Sequence, residues 1–130
     1  MADHPNIDVF KRAYAAFAAG DFEALAEVFD KDVVWHNPGH NPISGDYEGR
    51  DAAFASFAKE FELSGGTYRP EIHDVLANDD HTVVLAHATG EREGKKLDMD
   101  YVLIFHIKDG QIVEGWDIWT DQTEVDEFWS

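Results

Sequence analysis

The chain contains no cysteine. Disulfides, thiolate nucleophiles and thiolate-ligated zinc are thereby excluded. Basic residues are scarce: 10 Lys and Arg stand against 27 Asp and Glu, for a formal net charge of −17 over 130 residues. Such a field repels phosphate backbones and anionic lipid headgroups, so neither nucleic acid nor a membrane surface is an expected partner. The acidity fits a solvated surface that aids solubility, or an adaptation to high salt, where repulsion is screened. No apolar run reaches the roughly 18 residues that crossing a bilayer requires. The first residues, Met1-Ala2-Asp3-His4-Pro5, have neither a basic segment nor an apolar one of signal-peptide type. The cytoplasm is the expected compartment.

What is abundant is apolar and aromatic surface, at 44% and 13% of the residues. That is enough for one real core, and a single domain spanning 1–130 is expected. Ile7, Phe10, Tyr14 and Phe17 recur at helical spacing, and Gly20 ends the run. Asp21 can cap a second helix whose apolar face is Phe22, Leu25, Ala26 and Phe29. Residues 32–37 read as a strand, and Pro38 to Gly49 as a loop rich in turn formers. A third helix is expected from Arg50 to Leu63, with Phe54, Phe57, Ala58 and Phe61 on one side and Gly65-Gly66 beyond it.

From Tyr68 the apolar period changes from 3.6 to 2. Strands are expected over 68–77, 82–92, 97–107 and 112–120, with a hairpin signal at Asp109-Gly110. Asp121 to Phe128 reads as a short capping helix. Helices gathered ahead of hairpin-linked strands give an α+β class, with the helices on one face of a mostly antiparallel sheet.

Two stretches set polar groups among aromatic ones: Val33-Val34-Trp35-His36-Asn37-Pro38-Gly39 and Gly110-Gln111-Ile112-Val113-Glu114-Gly115-Trp116-Asp117-Ile118-Trp119. Buried polar groups need a reason, and a lined pocket supplies one. Asp117 sits between Trp116, Ile118 and Trp119. Desolvation there raises its pKa toward the working range of a general base. The alternative is a surface carboxylate paired with Arg50 or Lys108. Asn37 before Pro38 serves either as a turn former or as a pocket donor.

Alternation puts Met99, Tyr101, Leu103, Phe105 and Ile107 on one strand face, the more apolar one, which is expected to meet the helices. Asp98, Asp100, Val102, Ile104 and His106 take the other. On the last strand Gly115, Asp117 and Trp119 form one set, and Ile112, Glu114, Trp116 and Ile118 the other. His36 and His40 lie four apart in a loop with no third ligand, so no metal site is expected. His87, between Ala86 and Ala88, reads as a core or interface histidine.

The order of elements, with Gly20-Asp21, Trp35-His36-Asn37-Pro38, Gly49-Arg50 and the stretch from Gly110 to Asp117, resembles the nuclear transport factor 2-like superfamily. Within it the chain is most similar to the SnoaL-like polyketide-cyclase branch. The resemblance implies a conical curved sheet wrapped around three N-terminal helices, with a deep pocket at the wide end. It points Val33, Trp35 and Asn37 inward with Gly115, Asp117 and Trp119, and turns His36 outward.

Compared with the ketosteroid isomerases of that superfamily, the base position carries Asn37, the protonated-Asp position Leu103, and the Tyr position Ala13 beside Tyr14. The epoxide-hydrolase pattern shares His36-Asn37 but has Trp35 where it needs a Tyr. In the cyclase branch a single Asp on the last strand is the acid/base, and Asp117 fits that place.

The resemblance thus implies a small cofactor-independent enzyme. Asp117 would abstract a proton alpha to a carbonyl, and cyclisation, isomerisation or elimination would follow. Asn37 would donate to the developing enolate, with Tyr14 or Tyr101 as a second donor. Trp35, Tyr14, Phe57, Tyr101, Leu103 and Trp119 would contact a hydrophobic ligand. Ala86, Ala88 and Gly115 suggest space left open for it, and the loop 38–49 suggests a lid. The alternative is a non-catalytic ligand-binding or dimerisation module of the same fold. The outer set Val102, Ile104, Trp116 and Ile118 is apolar enough to lead us to expect a homodimer.

Overall fold

A computed structural model describes residues 4–130; the leader reading at residues 1–3 lies outside them. Helix α1 (Pro5–Ala19) starts with Pro at its first position, and the His4 ring accepts from the Asn6 N–H. It ends at Gly20, whose φ of 67° is the left-handed cap conformation. Asp21 caps α2 (Phe22–Val28) by accepting from the Ala24 N–H at 3.1 Å. The chain then extends into β1 (Phe29–Asn37), so Phe29 opens the strand instead of closing the helix face. The turn-rich segment after it holds a short strand, β2 (Gly45–Glu48), paired antiparallel with the end of β1.

Helix α3 (Arg50–Leu63) follows, then four strands: β3 (Arg69–Ala77), β4 (Thr82–Arg92), β5 (Lys95–Lys108) and β6 (Gln111–Trp119). The final helix α4 (Gln122–Trp129) is capped by Asp121, which accepts from the Glu124 N–H. The β5–β6 hairpin turns through Asp109 and Gly110, at φ 51° and 78°. Both central residues need positive φ in such a turn, which is why Asp-Gly stands there.

The six strands form one mixed sheet in the order β2-β1-β6-β5-β4-β3. Only the β1–β6 pair is parallel. Register shifts in β1, in β3 between Ile72 and Asp74, and in β5 at His106/Ile107 mark irregularities that bend strands. The sheet curls around α1, α2 and α3, giving the expected α+β cone. Phe10 packs on Phe105, and Phe57 packs edge-on to Trp35 and Phe29.

The strand faces fall as alternation indicates for β5 and as the family resemblance implies for β1 and β6. Met99, Tyr101, Leu103, Phe105 and Ile107 are buried, as are Val33, Trp35, Asn37, Gly115, Asp117 and Trp119. One residue departs: Ile112 is fully buried and inward, not on the outer set. The irregularity at His106/Ile107 pairs Ile112 with Ile107 and resets the alternation before Glu114. On α3 the buried stripe is Ala53, Ser56, Phe57 and Glu60; Ala58 is exposed, and Phe54 and Phe61 are only partly covered. Among the described residues no helix is long and apolar enough to cross a membrane.

Candidate active site

The cone holds a cavity of about 70 Å³, open at its mouth. The wall is mostly aromatic: Phe10, Tyr14 and Phe17 from α1, Phe57 from α3, Trp35 from β1, and Tyr101, Leu103 and Phe105 from β5. Two carboxyls break it. Asp117 enters from β6 and Glu60 from α3, and each is only 5% exposed. Tyr68, just before β3, also lines the space. Among the described lining residues there is no Lys, Arg or His.

Burial governs the electrostatics. Withdrawal from water pushes the Asp117 carboxyl from 3.8 up to about 7, and the nearby Trp35 indole draws it partly back. The indole N–H, however, reaches no acceptor at full hydrogen-bonding geometry. Glu60 is held well above the ordinary glutamate range, first by burial and then by the charge of Asp117; the Tyr68 hydroxyl opposes this as a donor. Tyr68 and Tyr101 are both raised well above the usual phenol value, chiefly by burial. Glu60, Asp117, Tyr68 and Tyr101 thus act on one another across a largely apolar space.

Of the residues singled out from sequence, Asp117, Tyr14, Trp35, Phe57, Tyr101 and Leu103 come together in this wall. Asn37 and Trp119 do not. Asn37 is buried at the end of β1, opposite Gly45, and that strand's contribution to the wall is Phe29 and Trp35. Trp119 stands behind the lining, stacked on Tyr101 with ring centroids 4.3 Å apart. The Tyr14 hydroxyl donates to the Pro70 carbonyl at 2.7 Å, so its proton is already committed and it is no free oxyanion donor. Asp117 pairs with neither Arg50 nor Lys108; the Arg50 guanidinium donates to the Ala26 and Phe29 carbonyls.

The space expected around Ala86, Ala88 and Gly115 is not the cavity. Gly115 is roofed by Trp35: a Cβ there would meet the indole at 2.3 Å. Ala86 and Ala88 are buried away from the lining. Nor does the 38–49 loop border the cavity. It is pinned to α4 through Asp126, which accepts from the Asn41 side chain and the His40 N–H. His87 sits on the outer face, held by Asp98 and Asp100. Among the described residues no group of three or more His, Cys, Asp or Glu is placed to hold a metal.

Glu60 and Tyr68 escape a reading of the sequence that follows large apolar residues along α3. Counting Ala53 and Ser56 in the stripe would have rotated the buried face onto Glu60, at i, i+3, i+4 and i+7.

A curved sheet closed over helices, with two carboxyls facing an apolar cavity, defines a cone-fold α+β domain. Residues 10–115 match the SnoaL-like domain, and the chain belongs to that family. Its fold is that of the nuclear transport factor 2-like, cystatin-like proteins. It is similar to Bal32a from a soil-derived mobile gene cassette, at 37% identity and a TM-score of 0.92, covering 96% of both chains. A protein of unknown function with a cystatin-like fold from Xanthomonas campestris matches at 32% identity and a TM-score of 0.89, over 95% of this chain and 97% of the other. Among curated sequences, the uncharacterized protein Rv0034 of Mycobacterium tuberculosis is 29% identical over the full length of both.

Proposed function

We propose that this protein is a small cofactor-independent enzyme of acid/base type. It removes a proton alpha to a carbonyl of a hydrophobic small molecule, and cyclisation, isomerisation or elimination follows. One observation carries the reading: a single strand aspartate, buried in an apolar aromatic cavity, has its carboxyl pushed to about 7. A general base works best when its pKa lies near the operating pH. Desolvation also sharpens every electrostatic interaction it makes with a bound carbonyl. Tyr101, which lines the cavity and whose hydroxyl burial keeps protonated well above the usual phenol range, would donate to the oxygen as charge develops.

The test is a screen of carbonyl-bearing aromatic and alicyclic compounds, followed by Asp117→Asn. Loss of the base is expected to cut turnover by roughly 10²–10⁴-fold. Unchanged turnover would end the role given to Asp117.

We also propose that two copies associate through the outer sheet face. Ile118 is 46% exposed there, beside half-buried Val102, Ile104 and Trp116. Sedimentation at micromolar concentration checks this, and a monomer refutes it.

A further inference from the structure

Two carboxyls facing one dry cavity without a cation cannot both be charged at low cost. The arrangement is built from separate elements: Glu60 on the third turn of α3, Asp117 on β6, and Tyr68 and Tyr101 beside them. A second feature points to a guest. The Trp35 indole, itself 4% exposed and part of the same wall, has its N–H without a hydrogen-bond partner. It lies beside the Asp117 carboxyl without completing a hydrogen bond, which leaves a place for a guest's acceptor.

We propose that Glu60 and Asp117 form a dyad holding one proton between them, and that its substrate is an uncharged apolar carbonyl compound enolised between the two carboxyls. This rests on the acid/base reading above and assigns the second group of the reaction.

The proton balance closes without any co-reactant. Asp117, ionised, takes the proton from the carbon alpha to the carbonyl. Glu60, protonated, gives its proton to the carbonyl oxygen. The C–H electron pair becomes the new C=C bond, and the former C=O pair becomes the O–H bond. The product is a neutral enol, and the single negative charge has moved from Asp117 to Glu60. Tyr68 receives it there as a hydrogen-bond donor, the same interaction that already favours Glu60 ionisation. Asp117 then gives its proton to another carbon of a conjugated enol, the C=C pair forms the new C–H bond, and the enol O–H returns its proton to Glu60 as the C=O re-forms, which restores the dyad.

An anionic substrate would add a second negative charge to a cavity with no counter-charge, so carboxylates and phosphates are excluded by the site itself. Tyr68 acts on Glu60 and the Trp35 indole on Asp117; Tyr101 feels the charge of both carboxyls, and partly buried Tyr47 that of Glu60.

Carboxyl-carbon NMR titration of the full chain tests the dyad directly. Asp117 is expected to titrate near neutrality, and Glu60 well above the ordinary glutamate range. Asp117→Asn should lower the Glu60 midpoint by about one pH unit or more, because the charge opposing it is gone. Glu60→Gln, nearly isosteric, should leave the Asp117 midpoint almost in place, since burial and not the charge of Glu60 raises it. A Glu60 midpoint in the ordinary range of pH 4–5, or one unmoved by Asp117→Asn, overturns the dyad. It does so even if Asp117→Asn abolishes turnover, which separates the dyad's failure from failure of the base. For the substrate class, 2-naphthol is expected to bind at least tenfold more tightly than 2-naphthoate at pH 7. Equal or tighter binding of the naphthoate refutes an uncharged guest.

Discussion

The two faces of the sheet treat the same side-chain chemistry in opposite ways. Outside, every buried or half-buried histidine meets a carboxylate. His36 lies 2.7 Å from both Asp46 and Glu114, His106 sits 3.2 Å from Glu114, and His87 bridges Asp98 and Asp100. Inside, Asp117 and Glu60 share a cavity lined by no cation. Glu114 and Asp117 are three residues apart on one strand, yet one sits in an ion-pair network and the other in a dry wall. Strand direction, not residue type, decides whether a carboxyl is neutralised by a partner or by a proton.

That contrast fixes where each face loses stability as pH rises. Asp117 has a folded pKa of about 7 against 3.8 when unfolded. Between those values the native state keeps a proton that the unfolded chain has released. Its contribution therefore falls as pH climbs through that window, by on the order of 4 kcal/mol for a shift of this size. Asp117→Asn removes its own part of the falling slope and leaves what Glu60, also raised by burial, contributes. Urea denaturation from pH 4 to pH 8 is expected to show the variant gaining on the wild type steadily, and clearly more stable at pH 8. A wild type as stable at pH 8 as at pH 4 would erase the difference between the faces.

Next in size is the contact that holds Trp35 against the strand bearing the inner carboxyl. A Cβ on Gly115 would sit 2.3 Å from the indole Cζ3 and 2.7 Å from Cε3, closer than any real contact. Gly115→Ala must push the ring aside, costing about 1–3 kcal/mol as overpacking does. With the indole displaced, its restraint on the Asp117 pKa should weaken, so that carboxyl should titrate higher still. Denaturation and the NMR midpoint of Asp117 measure the two effects. A stable variant with an unmoved midpoint would show that the indole does not tune the carboxyl.

Much of the inner face was legible before any coordinates. Period-two alternation in β5 put Tyr101 and Leu103 inward and Ile104 outward; in β6 it only separated Asp117 from Trp116 and Ile118, and the family resemblance turned Asp117 inward. Where alternation breaks, reading fails: Ile112 turns in because of a local irregularity that no composition announces. Glu60 was hidden by its charge, in a stripe otherwise marked by small residues. The capture of the Tyr14 hydroxyl by Pro70 links positions 56 residues apart, and nothing local encodes it. Strand β2 is four residues long and lies in turn-forming sequence, so it exists only through its pairing with β1.

The smallest expected effects belong to the outer face, and they have the opposite chemical origin. Burial alone would lower the His36 pKa, but hydrogen bonds to Asp46 and Glu114 outweigh it and leave the imidazole raised above 6.5. Two carboxylate acceptors call for an N–H on each ring nitrogen, which only the charged form offers. Folding therefore favours a protonated His36. Its contribution is complete below pH 6.5 and disappears as pH rises through the higher folded value. His36→Ala should cost about 1 kcal/mol at pH 5.5 and much less at pH 9. His87, raised by Asp100 and then by Asp98 but far more exposed, should show the same sign with a smaller loss. High salt separates the faces further, since it screens the outer pairs and hardly reaches the inner carboxyls. Raising the ionic strength to about 1 M, where the screening length is roughly 3 Å, should shrink the pH dependence lost in His36→Ala. The Asp117 slope should persist under the same conditions, and a slope that faded with salt would place that carboxyl in contact with water.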